Sequence, residues 1–336
     1  MLIIMRTGNA SLGARKDDMK HFKLSTRSLL GATALAGCLA AAPAGAQVLG
    51  LGTTQGGATG QIGTALSQII SMNSDLQVIP QISANTSQYI PLVDGGQLEL
   101  GIANYPQTYY AVKGTGMSTK PAENLELVAT LMPFYAALVA TEKSGIETYA
   151  DIKGHTVPRY SEDSLGDFVV RALLAAGGLT YDDVTSVPIA NFPQQYQAFK
   201  DGRIDVSIAT VGSQASFDLE ASAGDIQFLP VEEAALPAVR ELMPGAYLHD
   251  VPANEELAGL DKPTRVMAYD YMLFTSSAVS DADIEAVAKA IYENADALKA
   301  TSPVWDDFNA KDIGKKADIP YHPGAKAYYE ANGLVQ

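Results

Sequence analysis

Apolar residues alternate and then fall into helical stripes along most of the chain. Val48 to Thr54 reads as a strand, and a helix over 60–72 follows a glycine-rich loop, with Leu66, Ile69 and Ile70 in one stripe. Leu76 to Ile82 and Leu98 to Ala103 read as strands, and residues 106–113 as a helix. Leu125 to Thr141 is a long apolar stretch interrupted by Pro133, the pattern of two strands with the second leaving the first folded half. Strand Thr156–Arg159, helix 164–176 closed by Gly177-Gly178, and strands Thr185–Ile189 and Ile204–Ala209 follow. Arg265 to Phe274 alternates and predicts a return strand. Ser280-Asp281-Ala282-Asp283 opens a helix in the manner of a capping box, and Ile284, Val287, Ala288 and Ile291 give it one apolar stripe.

The pattern contains a weak duplication. Tyr89 to Gly95 followed by Leu98, Leu100 and Ile102 matches Tyr196 to Gly202 followed by Ile204, Val206 and Ile208, at an offset of 107 that drops to 106 after Gly96. Upstream, Gly60 with the stripe Leu66, Ile69 and Ile70 pairs with Gly166 and the stripe Ala172, Leu173 and Ala176. Each copy reads loop, helix, strand, helix, turn, strand. Two such units in tandem predict two α/β lobes with parallel sheets. The expected borders are 47–140 plus 263–336 for lobe 1 and 141–262 for lobe 2. The predicted fold is a two-lobed α/β architecture joined by two hinge-crossing strands, with ligands held between the lobes at strand ends and helix N-termini.

Composition narrows the function. The 336 residues are 47% hydrophobic and 18% charged, an ordinary globular balance in a chain long enough for two domains. The formal charge of −15 argues against nucleic acid as a partner, because phosphate backbones need clustered Lys and Arg. A single cysteine excludes an internal disulfide and a cysteine-rich metal site. Past residue 46 no apolar run reaches the roughly 18 residues a spanning helix needs.

Residues 1–46 read as an export signal. Lys20, Lys23 and Arg27 precede an apolar run from Leu29 to Ala42, which Pro43 breaks before Ala44-Gly45-Ala46. Cleavage is expected before Gln47, with Met19 as a start and residues 1–18 as upstream extension. Leu35-Ala36-Gly37-Cys38 is also a lipoprotein box, which would tether the protein through Cys38. The mature chain carries 17 basic and 36 acidic residues, net −19. This predicts a soluble periplasmic protein.

The loop Gln55, Gly56, Gly57, Ala58, Thr59 joins a strand to a helix, where backbone N–H groups and the helix dipole favour an anion. A phosphate-binding loop fails, because no Gly-Lys-Ser/Thr follows, and the dinucleotide spacing is one residue too long. A tight turn without ligand is the alternative. Arg159 closes a strand just before Tyr160, Ser161 and the helix opened by Ser164, a position suited to bidentate capture of a carboxylate. A solvated arginine, or one paired with Glu162, Asp163 or Asp167, is the other reading. Thr86 and Ser87 offer donors or helix caps. Asn104, Tyr105, Phe134, Tyr135, Thr210, Gly212 and Ser213 also follow or lie in predicted strands near the expected cleft. For catalysis the residues offer little: no metal spacing among His21, His155, His249 and His322, and no Gly-x-Ser-x-Gly elbow. His322 reads as a turn-packing histidine. No metal and no cofactor are expected.

The set Gly56-Gly57 to Gly63, Asp94-Gly95 to Ala103, Tyr109-Tyr110-Ala111 to Gly114, Tyr149-Ala150-Asp151-Ile152-Lys153-Gly154, Ser164, Lys200-Asp201-Gly202-Arg203-Ile204-Asp205 and His322-Pro323-Gly324-Ala325 to Gly333 resembles the TAXI group of solute-binding proteins, which serve tripartite ATP-independent periplasmic (TRAP) transporters. The resemblance spans nearly the whole mature chain. It implies a periplasmic binding protein fold and delivery of a small organic anion, such as a dicarboxylate, glutamate or 2-oxoglutarate, to the small and large membrane subunits of the transporter. The chain departs from the family at Ala58-Thr59-Gly60, where aromatics are usual, at Pro106, where an acidic residue is usual, at Asp163-Ser164-Leu165, where Gly-Ser-Gly is usual, and at Gly212-Ser213-Gln214-Ala215. The expected protein is a monomeric receptor and not an enzyme. The rivals are an exported enzyme, or a sensory module presenting a ligand, on the same scaffold.

Overall fold

The computed structural model describes residues 46–335, Gly56 aside. All but the last residue of the expected export signal, Cys38 included, lies outside the described residues, as does Gly56 of the glycine loop.

The first half folds as β1 (Gln47–Thr54), α1 (Gly57–Met72), β2 (Leu76–Ser83), α2 (Thr86–Asp94), β3 (Leu100–Asn104), α3 (Tyr105–Lys113) and β4 (Leu125–Thr141). There follow β5 (Thr156–Arg159), α4 (Leu165–Ala176), β6 (Thr185–Pro188), α5 (Phe192–Lys200), β7 (Val206–Thr210), α6 (Gln214–Ala223), β8 (Ile226–Phe228), α7 (Leu236–Leu242) and β9 (Tyr247–Val251). The chain returns through β10 (Thr264–Ser276) and ends with α8 (Asp281–Glu293), α9 (Ala295–Lys299) and α10 (Pro323–Ala331).

The predicted elements are found in order, with differences of position, and α6, β8, α7 and β9 lie between residues 210 and 264, where the sequence pattern assigned none. Helix α1 begins at Gly57, three residues before the predicted start at residue 60. The stretch Leu125–Thr141 is one strand of 17 residues and not two. Pro133 stands opposite Asp270 where the pairing with β10 slips, between Asp270 and Met272, so its missing N–H falls in an irregularity of the ladder. The strands expected at Leu98 and Ile204 begin two residues later, at Leu100 and Val206, after turns that occupy the intervening positions.

One eight-stranded sheet runs β2-β1-β3-β10-β4-β7, with β8 paired to β4 and β9 to β10. Strands β1, β2 and β3 are parallel. Strand β10 pairs antiparallel with β3 over Tyr271–Thr275 and with β9 over Thr264–Ala268. Strand β4 pairs with β10 through most of its length and with β7 over Ala136–Ala140. Thus β4 and β10 form a ribbon whose two ends belong to different strand groups. Strands β5 and β6 form a separate parallel pair, joined to the β7 side by Asp205 N–H donating to Thr156 O at 2.9 Å.

Side-chain alternation along β10 sorts its residues to two faces. Tyr271 and Leu273 pack with Leu49, Leu51, α1, α8 and Trp305, whereas Met272 and Phe274 pack with Tyr89, Val93, Ala111 and Leu127 under α2 and α3. A third core gathers Ala136–Ala140 with the residues of β5 to β9. The stripe Ile284, Val287, Ala288 and Ile291 of α8 is fully buried, and Ser280 caps that helix by accepting from Asp283 N–H.

The duplication has a packing counterpart. A Cβ on Gly60 would stand 2.7 Å from the carbonyl oxygen of Thr54, and one on Gly166 2.6 Å from the ring of Tyr160. Both glycines let the first turn of a helix lie against the residue that ends, or directly follows, the preceding strand.

Candidate functional site

Apart from Phe134 and Tyr135, which lie within β4, the candidate residues stand at or after the C-terminal ends of strands, the places where an open α/β sheet binds ligands. Gln55, Gly57, Ala58 and Thr59 follow β1, Thr86 and Ser87 follow β2, and Asn104 and Tyr105 follow β3. Arg159, Tyr160, Ser161 and Ser164 follow or end β5, and Thr210, Gly212 and Ser213 end or follow β7.

Several of these groups are tied together. The Thr59 hydroxyl donates to the Tyr271 hydroxyl at 3.4 Å, which joins the first turn of α1 to the β4–β10 ribbon. Phe134 packs against Tyr269 at 5.5 Å and edge-on to Tyr271 at 5.6 Å between ring centroids. Val211 N–H donates to Tyr135 O at 3.3 Å and joins the β7–α6 loop to the same ribbon. Gln107 links two loops, its amide donating to the Thr86 hydroxyl at 2.6 Å while its backbone N–H is capped by Asn104. Burial pushes the hydroxyls of Tyr269 and Tyr271 above the ordinary tyrosine range, and Thr59 partly offsets this at Tyr271. Both therefore stay neutral and able to donate at physiological pH.

Other candidates serve the scaffold. Tyr160 is buried in the third core, its hydroxyl donating to Gln195 Oε1 at 2.8 Å and its ring against Phe192. Asn104, Ser164 and Ser213 cap α3, α4 and α6, and the Ser87 hydroxyl donates to Asn85 at 2.6 Å. Phe134 and Tyr135 point to opposite sides of the ribbon. Tyr135 stacks on His249 at 4.3 Å, and burial with the Asp307 carboxylate pushes its hydroxyl up. His322 is 1% exposed and caps α10 while its Nε2 lies 3.1 Å from Val279 O, a packing role.

Arg159 is solvent-exposed and stacks on the Tyr181 ring at 4.4 Å. It makes no ion pair among the described residues. Asp167, one of its expected partners, is instead held by Arg171 at 3.3 Å and by the Tyr181 hydroxyl at 3.2 Å. Stacking uses the face of the guanidinium and leaves its in-plane N–H donors for a ligand. Tyr181, Tyr269, Tyr271 and Gln107 were not foreseen as partners of the site. The alternation of 265–274 puts Tyr269 and Tyr271 on one face, but their meeting with Phe134 depends on strand pairing.

Asp163 is the non-glycine residue with positive φ, 60°, among the described residues. The left-handed region suits glycine and is tolerated by aspartate. Asp163→Gly should change stability by only a few tenths of a kcal/mol, whereas Asp163→Val should cost about 1–2 kcal/mol. Thermal unfolding of the two variants checks this.

Among the described residues no group of three or more His, Cys, Asp or Glu side chains could hold a metal ion. The pair His155–Asp205, at 3.2 Å, lies at the start of β5, away from the strand end that bears Arg159. Among the described residues the strand ends offer neutral phenolic and hydroxyl donors and, at the end of β5, the guanidinium of Arg159.

Parallel strand ends gathered around a two-strand ribbon define the α/β fold of periplasmic binding proteins. The chain is similar to PhnD1 from Prochlorococcus marinus in complex with methylphosphonate, at TM-score 0.51 and 11% identity over 86% of this chain and 97% of that one. It is also similar to a binding protein component of an ABC phosphonate transporter from Pseudomonas aeruginosa, at TM-score 0.50 and 12% identity over 78% and 81%. Within this fold the chain belongs to the NMT1-like family, whose model matches residues 51–333.

Proposed function

We propose that the protein is a periplasmic solute-binding receptor. It captures a small organic anion by closing two lobes, residues 47–140 with 263–336 and residues 141–262, about the β4–β10 ribbon. It then delivers the anion to membrane subunits of the TRAP type, as the TAXI resemblance implies. The observation that carries this reading is Arg159 at one strand end, without an ion pair among the described residues, combined with other strand-end segments tied to an aromatic ribbon. The division of the cores between the two ends of that ribbon supports the lobe borders. The methylphosphonate in the Prochlorococcus structure is a small anion held on this fold, which supports the ligand class. Net charge −19 does not oppose it, because the local field at the site decides.

Thermal unfolding against dicarboxylates, 2-oxoglutarate, glutamate, methylphosphonate and an alkanesulfonate tests the proposal. A carboxylate at about 100 times its dissociation constant should add roughly 2.7 kcal/mol, a rise of roughly 4–5 °C for a chain of this size. A shift with the phosphonate or sulfonate alone would replace the ligand class, and no shift with any anion would overturn the receptor reading.

A further inference from the structure

The ribbon has a second polar side. On the face of β10 away from Phe134, Tyr269 and Tyr271 lies an open cavity of about 270 Å³, walled in part by Tyr105, Tyr247, Asp270, Lys315, Lys316 and Asp318. These residues come from the start of α3, the start of β9, the slip in β10 and the segment before α10. The inner charges satisfy each other: Asp270, 8% exposed, pairs with Lys315 and accepts from the Tyr247 hydroxyl at 2.9 Å.

The remaining groups are unanswered. The Tyr105 side chain is buried, and its hydroxyl oxygen accepts from Asp318 N–H at 3.1 Å. Its own proton finds no acceptor among the described residues. Lys316 and the Asp318 carboxylate stand exposed at the cavity with no ion-pair partner among the described residues. The wall thus presents two cations, two carboxylates and one free O–H donor. A plain anion would meet the repulsion of Asp270 and Asp318, and a plain cation that of Lys315 and Lys316. A molecule carrying both charges answers both.

We propose that this cavity is a second small-molecule site, and that its ligand is a small zwitterion of the size of an α-amino acid or a betaine. Lys316 holds the carboxylate of the ligand, Tyr105 donates to it, and Asp318 holds the ammonium. Because its walls come from both ends of the ribbon, an occupied site also ties those ends together.

Calorimetric titration of the purified protein with glycine betaine, L-alanine and L-glutamine, beside acetate and tetramethylammonium, tests this. At least one zwitterion should bind about tenfold more tightly than either singly charged ion, the increment expected of one added charge-assisted contact. Lys316→Ala and Asp318→Asn should each weaken that zwitterion by about tenfold while leaving the unfolding temperature of the ligand-free protein in place, since both side chains are exposed. The proposal is overturned if no zwitterion binds, if the singly charged ions bind as tightly, or if neither substitution weakens binding. Neither residue belongs to the strand-end site, so loss of anion binding there leaves this test standing.

Discussion

Tyr110→Ala should destabilise the folded protein by about 3–5 kcal/mol, seen as a fall in the urea midpoint. Tyr110 belongs to α3, between β3 and β4, yet its side chain is counted among the buried residues of the core that holds β5 to β9. Its ring lies 5.1 Å from Phe168 of α4, and its hydroxyl donates to Leu242 O at 3.0 Å at the end of α7. Removing the ring opens a cavity at a junction of helices that cannot easily collapse, and it leaves a carbonyl unanswered. Tyr110→Phe keeps the ring and should cost only about 1 kcal/mol. A loss below about 1 kcal/mol in the alanine variant would mean that α3 does not join the two cores. The consequence for binding follows from position. Helix α3 starts at Asn104 and Tyr105, among the strand-end loops, so Tyr110 anchors those loops against the core that holds β5 to β9. If the proposed closure holds, freeing Tyr110 should shift the population away from the closed arrangement, and anion affinity should fall with it.

The fold was largely legible because its signals are local. The stripe Ile284, Val287, Ala288, Ile291 and the Ser280 cap lie within one helix, and the run Thr156–Arg159 with its following helix follows a simple alternation. The repeat at 106–107 residues was legible for the same reason, and Gly60 and Gly166 turn out to share a packing duty as well as a position in the pattern. The site was legible only in outline. Strand ends can be predicted, but which side chains meet there depends on register. Phe134 and Tyr135 are neighbours in sequence and lie on opposite sides of the ribbon, so only Phe134 joins Tyr269 and Tyr271. Tyr160 follows Arg159 directly and yet belongs to the core, because Gly166 leaves room for its ring. The continuity of β4 through Pro133 could not be foreseen, since the slip that accommodates proline lies in β10, more than a hundred residues away. The pocket behind the ribbon left no sequence signal at all, because its walls are drawn from five separate segments.

Arg159→Ala should lower the affinity for the anionic ligand by about 30–100-fold, the effect of removing roughly 2–3 kcal/mol of charge-assisted hydrogen bonding. The argument rests on what the guanidinium is already doing. Its face is spent on Tyr181, an interaction of about 0.5–1 kcal/mol at an exposed site, so stability in the absence of ligand should hardly change. Its donors meet no carboxylate among the described residues, Asp167 being occupied by Arg171 and Tyr181. Arg159→Lys preserves the charge but presents no planar fork, and should recover only part of the affinity. Tyr181→Ala keeps the charge and removes the platform, so it should weaken binding less than loss of the arginine itself, through freedom restored to the side chain. Titration of all three variants with the anion that gives the thermal shift orders these effects. Wild-type affinity in Arg159→Ala would place the anion elsewhere among the strand ends, on the backbone donors at the starts of α1 and α4, and would remove the arginine from the site while leaving the receptor in place.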